Sequence, residues 1–251
     1  MNISGWGHLF AAAAAIGAGI INSIAGGGTL LSFPILSAIG VPSVGANATS
    51  TVALCPGHLG GVHAQRRDLG GQFRAARSKT IMATLGGFAG SVCLIVTSDA
   101  TFRSIVPYLI VVAVVLLTAQ DRMRTWLAHR ARPHDHGVAE IIGLFLAGLY
   151  GGYFGAGLGI MLLAVLGLFS DITFNKLNAM KQVLAFLINS SAAIFLAFTD
   201  KVSWSLVLVM APAALLGGTI GGRVVRILPP ARMRRGVIVL GLIVATIYFV
   251  R

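Results

Sequence analysis

The sequence predicts an all-α, polytopic membrane protein. About eight transmembrane segments form two homologous halves, arranged as inverted repeats with broken or re-entrant helices. Three observations carry this expectation. The 251 residues are 56% hydrophobic and 10% charged, with a mean hydropathy of +0.87, whereas a soluble domain carries about 25% charged residues. Apolar runs long enough to span a bilayer recur along the whole length. The chain also repeats itself, with basic clusters on opposite flanks of equivalent segments. Gly86-Gly87-Phe88-Ala89-Gly90 returns as Gly217-Gly218-Thr219-Ile220-Gly221, and Asn47-Ala48 returns as Asn178-Ala179 at the same offset. Ala100 and Arg103 return as Ala231 and Arg234. Slightly upstream, Ala18-Gly19 and Gly26-Gly27-Gly28 answer Ala147-Gly148 and Gly155-Ala156-Gly157, two residues out of step.

In chain order, the apolar runs predict helices at 8–24, 43–64, 79–96, 105–119, 138–154, 175–198, 203–225 and 236–250. Two shorter apolar pieces, 29–39 and 158–169, precede the second and sixth of these. Each is too short to cross a ~30 Å hydrocarbon core as a straight helix. Their matching places in the two halves are the sequence pointer to broken or re-entrant segments. The expected organisation is an N-terminal half, 1–120, a basic linker, 121–137, and a C-terminal half, 138–251. Stripes of Gly86, Gly87 and Gly90, and of Gly217, Gly218, Gly221 and Gly222, let membrane helices approach closely.

The net charge of +12 would suggest nucleic acid in a soluble protein. Here the basic residues fall between apolar spans, so no nucleic-acid partner is expected. Arg66, Arg67, Arg74, Arg77 and Lys79 form one cluster. Arg122, Arg124, Arg130 and Arg132 form a second, and Arg223, Arg226, Arg232, Arg234 and Arg235 a third. The positive-inside rule faces all three to the cytoplasm of the inner membrane, where anionic lipid headgroups are a secondary contact. Residues 1–8 contain no Lys or Arg, so no cleavable signal peptide is expected and this flank is free to lie outside. Cys55 and Cys93 fall within apolar spans and read as packing residues, with no disulfide framework or metal pair.

The first cluster precedes the Gly86 helix and the third follows the Gly217 helix. If both clusters are cytoplasmic, these equivalent helices run in opposite directions. Each half then crosses an odd number of times, the repeat is inverted and both termini lie outside. The competing arrangement is eight plain crossings with a parallel repeat, which puts one basic cluster on the outer face.

Few residues carry chemistry. The Gly-rich break at Asn22, Gly26, Gly27, Gly28 and Thr29 exposes backbone that lipid cannot satisfy, so protein or a cavity must cover it. A helix starting after the break aims its positive end inward, which suits an anion. The same glycines also suit plain close packing, and both readings stay open. Gly155 and Gly157 form the partner break in the second half. The polar patch with Asn47, Thr49 and Ser50 answers Asn178, Lys181 and Gln182. Lys181 is the leading candidate, because a charge inside a span is costly and faces an interior or cavity. Lys176 nearby reads as snorkelling to the interface. Asn189, Ser190 and Ser191 either extend a polar path or bond neighbouring helices. His58 and His63 suit proton relay or plain hydrogen bonding. No HExxH, aspartate-rich motif or GxSG is present, so no catalytic set, cofactor or metal is expected. An intramembrane enzyme and a passive channel remain the readings from other classes.

Residues 19–34, with Asn22, Gly26-Gly27-Gly28 and Phe33-Pro34, then Ala46-Asn47-Ala48-Thr49-Ser50 and the Arg66-Arg67 loop, resemble the sulfite exporter TauE/SafE family, also called the toluenesulfonate uptake permease family. The duplicated halves and the length match as well, so the resemblance covers essentially the whole chain. It implies a membrane transporter of a small sulfur-containing or organic anion such as sulfite or a sulfonate. Gly155-Ala156-Gly157 in place of three glycines, and Lys181 in place of a hydroxyl, depart from a symmetric site. The expectation is a secondary transporter with a midplane site between the halves. In the absence of an ATP-binding loop, it draws on a proton or ion gradient or on a partner protein. The anion, the direction of transport, the coupling ion and the oligomeric state are not legible.

Overall fold

A computed structural model of the chain describes residues 4–24, 26–66, 77–128, 137–169, 173–224 and 230–250. They form ten helices: α1 (Gly5–Ile24), α2 (Thr29–Ala38), α3 (Ser43–Gln65), α4 (Arg77–Val96), α5 (Asp99–Ala128), α6 (Gly137–Tyr153), α7 (Leu158–Phe169), α8 (Phe174–Ala197), α9 (Trp204–Val224) and α10 (Pro230–Val250). No strand occurs among the described residues, and the protein is an all-α, multi-pass membrane protein. Five helices, α1, α4, α5, α8 and α9, are long and apolar enough to cross a membrane. The 23-residue α3 misses that standard because Asn47, Thr49, Ser50 and Thr51 dilute its apolar character. It buries those residues inside the protein instead. Helix α5 continues to Ala128, so the first part of 121–137 is helical. Arg67, Arg74, Arg130, Arg132 and Arg226 of the basic clusters lie outside the described residues.

The glycine stripes set which helices pair. Along α4 and α6, a Cβ at Gly86 would meet the Phe145 carbonyl, one at Gly90 the Leu149 carbonyl, and one at Gly152 the Gly87 carbonyl. The two backbones therefore touch, as small residues allow in a bilayer. The equivalent pair, α1 and α9, meets in the same way, through Gly19 on Ala214 and Gly217 on Ile16. Apart from the short α2 and α7, which lie on α1 and α6, each helix thus packs chiefly on one from the other half. Helix α9 packs on α1 and α3, α4 on α6 and α8, α10 on α2, and α5 on α7. Two tightly packed groups result, α4 with α6, α7 and α8, and α9 with α1, α2 and α3, while α5 and α10 pack chiefly on each other.

Equivalent helices that touch directly reveal the symmetry. On α3 and α8, Gln65 at one end bonds Asn178 near the start of the other, Cys55 lies against Ser190, and Thr49 bonds Ser203 just beyond α8. The pair is antiparallel. Helices α5 and α10 repeat the pattern, with Tyr108 meeting Phe249 edge to face and Val114 against Gly241. Equivalents that run antiparallel are related by an axis in the membrane plane, which is the inverted arrangement. A parallel repeat would align them. The α4 and α6 starts meet through Lys79 and buried Glu140, 2.6 Å apart, and α3 runs parallel to α9, with Gly57 at Ala214 and Gly60 at Gly218. The cluster-bearing ends of α3, α4, α6 and α9 consequently share one face, here called the basic face.

Candidate functional site

The two breaks are built alike. Gly26 and Gly155 both hold left-handed backbone, with φ of 76° and 78°, a conformation that glycine adopts without steric cost. Each reverses the chain between a long helix and a short one, α1 to α2 and α6 to α7. The hairpins enter from opposite faces and their tips touch, Gly157 N–H donating to the Gly26 carbonyl at 3.0 Å. A Cβ at Gly26 would stand 2.9 Å from the Gly159 backbone. Asn22 Oδ1 accepts the Gly28 N–H at 2.7 Å, and Tyr150 donates its hydroxyl proton to the Ala156 carbonyl at 2.6 Å. These bonds cover backbone that hydrocarbon would leave unsatisfied.

Between the tips and the antiparallel α3–α8 pair lies a cavity of about 10 Å³, roughly the space that admits one water. Its wall is built from symmetry mates. Gly26 and Gly155 line it, as do Thr29 and Leu158 from the starts of α2 and α7. From α3 come Thr51, Leu54 and His58, and from α8 their counterparts Gln182, Ala185 and Asn189. Each trio is spaced i, i+3, i+7, so it occupies one helix face. The cavity therefore sits on the pseudo-two-fold axis, and the positive ends of α2 and α7 converge on it.

Lys181 breaks the symmetry. It lines the cavity, is 2% exposed, and is the counterpart of Ser50. Neither Lys79–Glu140 nor Lys201–Asp200 involves Lys181, so no carboxylate of the described residues neutralises it, and none lines the cavity. A buried cation with two helix N-termini and the side-chain amides of Asn22, Gln182 and Asn189 offers donors and positive potential together. That set suits a small anion.

Of the residues singled out from sequence, the fold brings Asn22, Gly26, Thr29, Gly155, Lys181 and Gln182 to this cavity. The others serve the frame around it. Gly28 leaves room for the Asn22 side chain, and Gly27 packs against Leu117. Gly157 bonds Gly26. Asn47 donates to the Tyr153 carbonyl at 2.8 Å, Thr49 accepts the Ser203 N–H at 3.0 Å, and Ser50 meets Ser32 at 2.6 Å. Asn178 donates to Gln65 at 2.7 Å, which closes the α3–α8 pair toward the basic face. Gln182 itself also donates to the Ser23 carbonyl, which ties α8 to the end of α1. Thr51, at the end of the Asn47 patch, lines the cavity too, as do His58 and Asn189 from the relay and polar-path candidates. The repeat offset that matches Asn47 with Asn178 also matches Thr51 with Gln182 and His58 with Asn189, and extending it along one helix face finds them.

A family model described as "Sulfite exporter TauE/SafE" matches residues 11–248. The chain is similar to the probable membrane transporter protein YfcA of Escherichia coli K12, 26% identical over 215 residues that cover 83% of this chain and 77% of that protein. It is also similar to the probable membrane transporter protein ORF9 of a Sinorhizobium species, 24% identical over 211 residues that cover 84% and 80%. No solved structure matches it.

Proposed function

This chain belongs to the sulfite exporter TauE/SafE family of membrane transporters, and on that premise we propose that it is a secondary transporter of a small anion in the inner membrane. The anion is a sulfur-containing one such as sulfite or an organosulfonate, held at the cavity between the hairpin tips. The observation that carries this reading is Lys181, a buried cation with no carboxylate beside it among the described residues, placed where two inverted breaks meet. Folding gains nothing from such a charge, whereas an entering anion replaces its lost hydration. The α2 and α7 N-termini add favourable potential, and Asn22, Thr29, Thr51 and Gln182 replace water around the anion. The basic face is cytoplasmic by the positive-inside rule.

Alternating access fits better than an open pore. The cavity has room for little more than a water, so an anion enters only after α3 and α8 or the tips part. Proteoliposomes on a solid-supported membrane test the proposal. Jumps of sulfite, thiosulfate, a sulfonate, acetate and chloride should give a saturable current for a sulfur anion that Lys181→Ala abolishes. Silence across the panel, together with no anion-dependent thermal stabilisation, would sink it.

A further inference from the structure

Resting on the anion site proposed above, we infer that His58 takes up a proton together with the anion, so that His58 on α3 and Lys181 on α8 hold it as a pair of cations. Both residues line the cavity, and His58 is 8% exposed. Leu54 and Ala185 are mates at the axis. His58 lies four residues beyond Leu54 toward the α3 C-terminus, and Lys181 lies four residues before Ala185 toward the α8 N-terminus. Because the helices are antiparallel, both steps lead about 6 Å toward the basic face. The two ionisable groups of the cavity therefore share one level, on facing helices. Their mates, Asn189 and Ser50, are neutral.

Among the described residues, the elements around His58 bring no further charge to the cavity. Helix α8 presents Lys181. Helices α2 and α7 have no ionisable side chain, and α1 has His8 alone, near its opposite end. The sole ionisable residue of α9 is Arg223, in its last turn. Helix α5 meets α3 at Asp99, which bonds Val44 at the far end of α3. On α3 itself, Cys55 lies against Ser190 and His63 stands a turn beyond His58. Two cations sharing this cavity repel each other in a low-dielectric surround. An anion between them replaces that repulsion with two attractions, so anion and proton favour each other's binding, and by linkage the effect is mutual. The proton comes from water to the free ring nitrogen of His58, whose two N–H groups are then donors. It returns to water when the anion leaves, and no covalent bond to the anion forms. Asn189 holds no proton, so the coupling rests on one side of the axis.

Isothermal titration of the purified full chain near neutral pH, in buffers of different ionisation enthalpy, counts the protons. Sulfite, sulfate, thiosulfate and methanesulfonate are the probes. Wild type should take up about one proton more per anion than His58→Asn, a difference in which the anion's own protonation cancels. Affinity in His58→Asn should fall about tenfold, as for loss of a charged hydrogen bond. If His58→Asn does not fold, His58→Gln supplies the same comparison. Equal proton counts in wild type and His58→Asn, with anion bound, would overturn it and leave the anion site standing. No binding of any probe by wild type would overturn the site and the inference together.

Discussion

An ammonium taken out of water costs several kcal/mol unless a counter-charge meets it, and Lys181 meets no carboxylate among the described residues. Lys181 should therefore trade stability for function. In Lys181→Met, the melting temperature without anion should rise above wild type while anion stabilisation disappears. Lys176 is exposed, and Lys176→Ala should change anion affinity by less than about twofold, where Lys181→Ala loses more than about tenfold. A thermal-shift titration of the three variants decides this, and equal losses at 176 and 181 would remove the special status of Lys181. The lysine was legible in the sequence because a cation within an apolar run has few bland explanations. The neutral candidates were less so. Asn47, Thr49, Ser50 and Asn178 look the same in sequence as Gln182, yet they lie outside the cavity wall and bond Tyr153, Ser203, Ser32 and Gln65. A polar side chain in a membrane interior needs a partner, and sequence alone does not say whether that partner is protein or substrate.

At the level of helices, glycine does two different jobs, which substitution separates. Gly152 lets α6 lie on α4, and a Cβ there would overlap the Gly87 carbonyl. Backbone cannot swing aside as a side chain can, so Gly152→Ala should cost about 1–3 kcal/mol or more. It should show as a lowered melting temperature and poor yield of folded protein. Gly236, near the start of α10, has open space around its would-be Cβ, and Gly236→Ala should be neutral or slightly stabilising in the same assay. Similar behaviour of the two variants would mean that α4 and α6 do not meet through their backbones. Helix extents were largely readable, because long apolar runs and the short pieces at 29–39 and 158–169 match α2 and α7 closely. The length of α5 was not, because its last turns carry Asp121, Arg122 and Arg124, where apolar character has already ended.

Across the whole molecule, the repeat read from sequence and the groups built by packing differ. Duplication divides the chain at its middle, whereas the glycine contacts assign α9 to the first hairpin and α4 to the second. Pairwise contact partners do not show in one sequence, so this exchange was out of its reach. It changes what alternating access must move. The α1–α9 and α4–α6 contacts are backbone against backbone and stay within a group. The contacts between the two groups lie on the axis, at α3–α8 and the Gly26–Gly157 tips. A cavity with room for about one water admits an anion when α3 and α8, or the tips, move apart. Cys55 offers a direct test, since its Sγ lies 3.4 Å from Ser190 Oγ across that interface. With Cys93 replaced by serine, Ser190→Cys places a second thiol opposite Cys55, and mild oxidation should join α3 to α8. Sulfur-anion currents in proteoliposomes should then fall to background and recover on addition of dithiothreitol, while the reduced variant transports like wild type. Full transport in a quantitatively cross-linked sample would show that α3 and α8 remain together through the cycle. The moving surface would then be the hairpin tips alone.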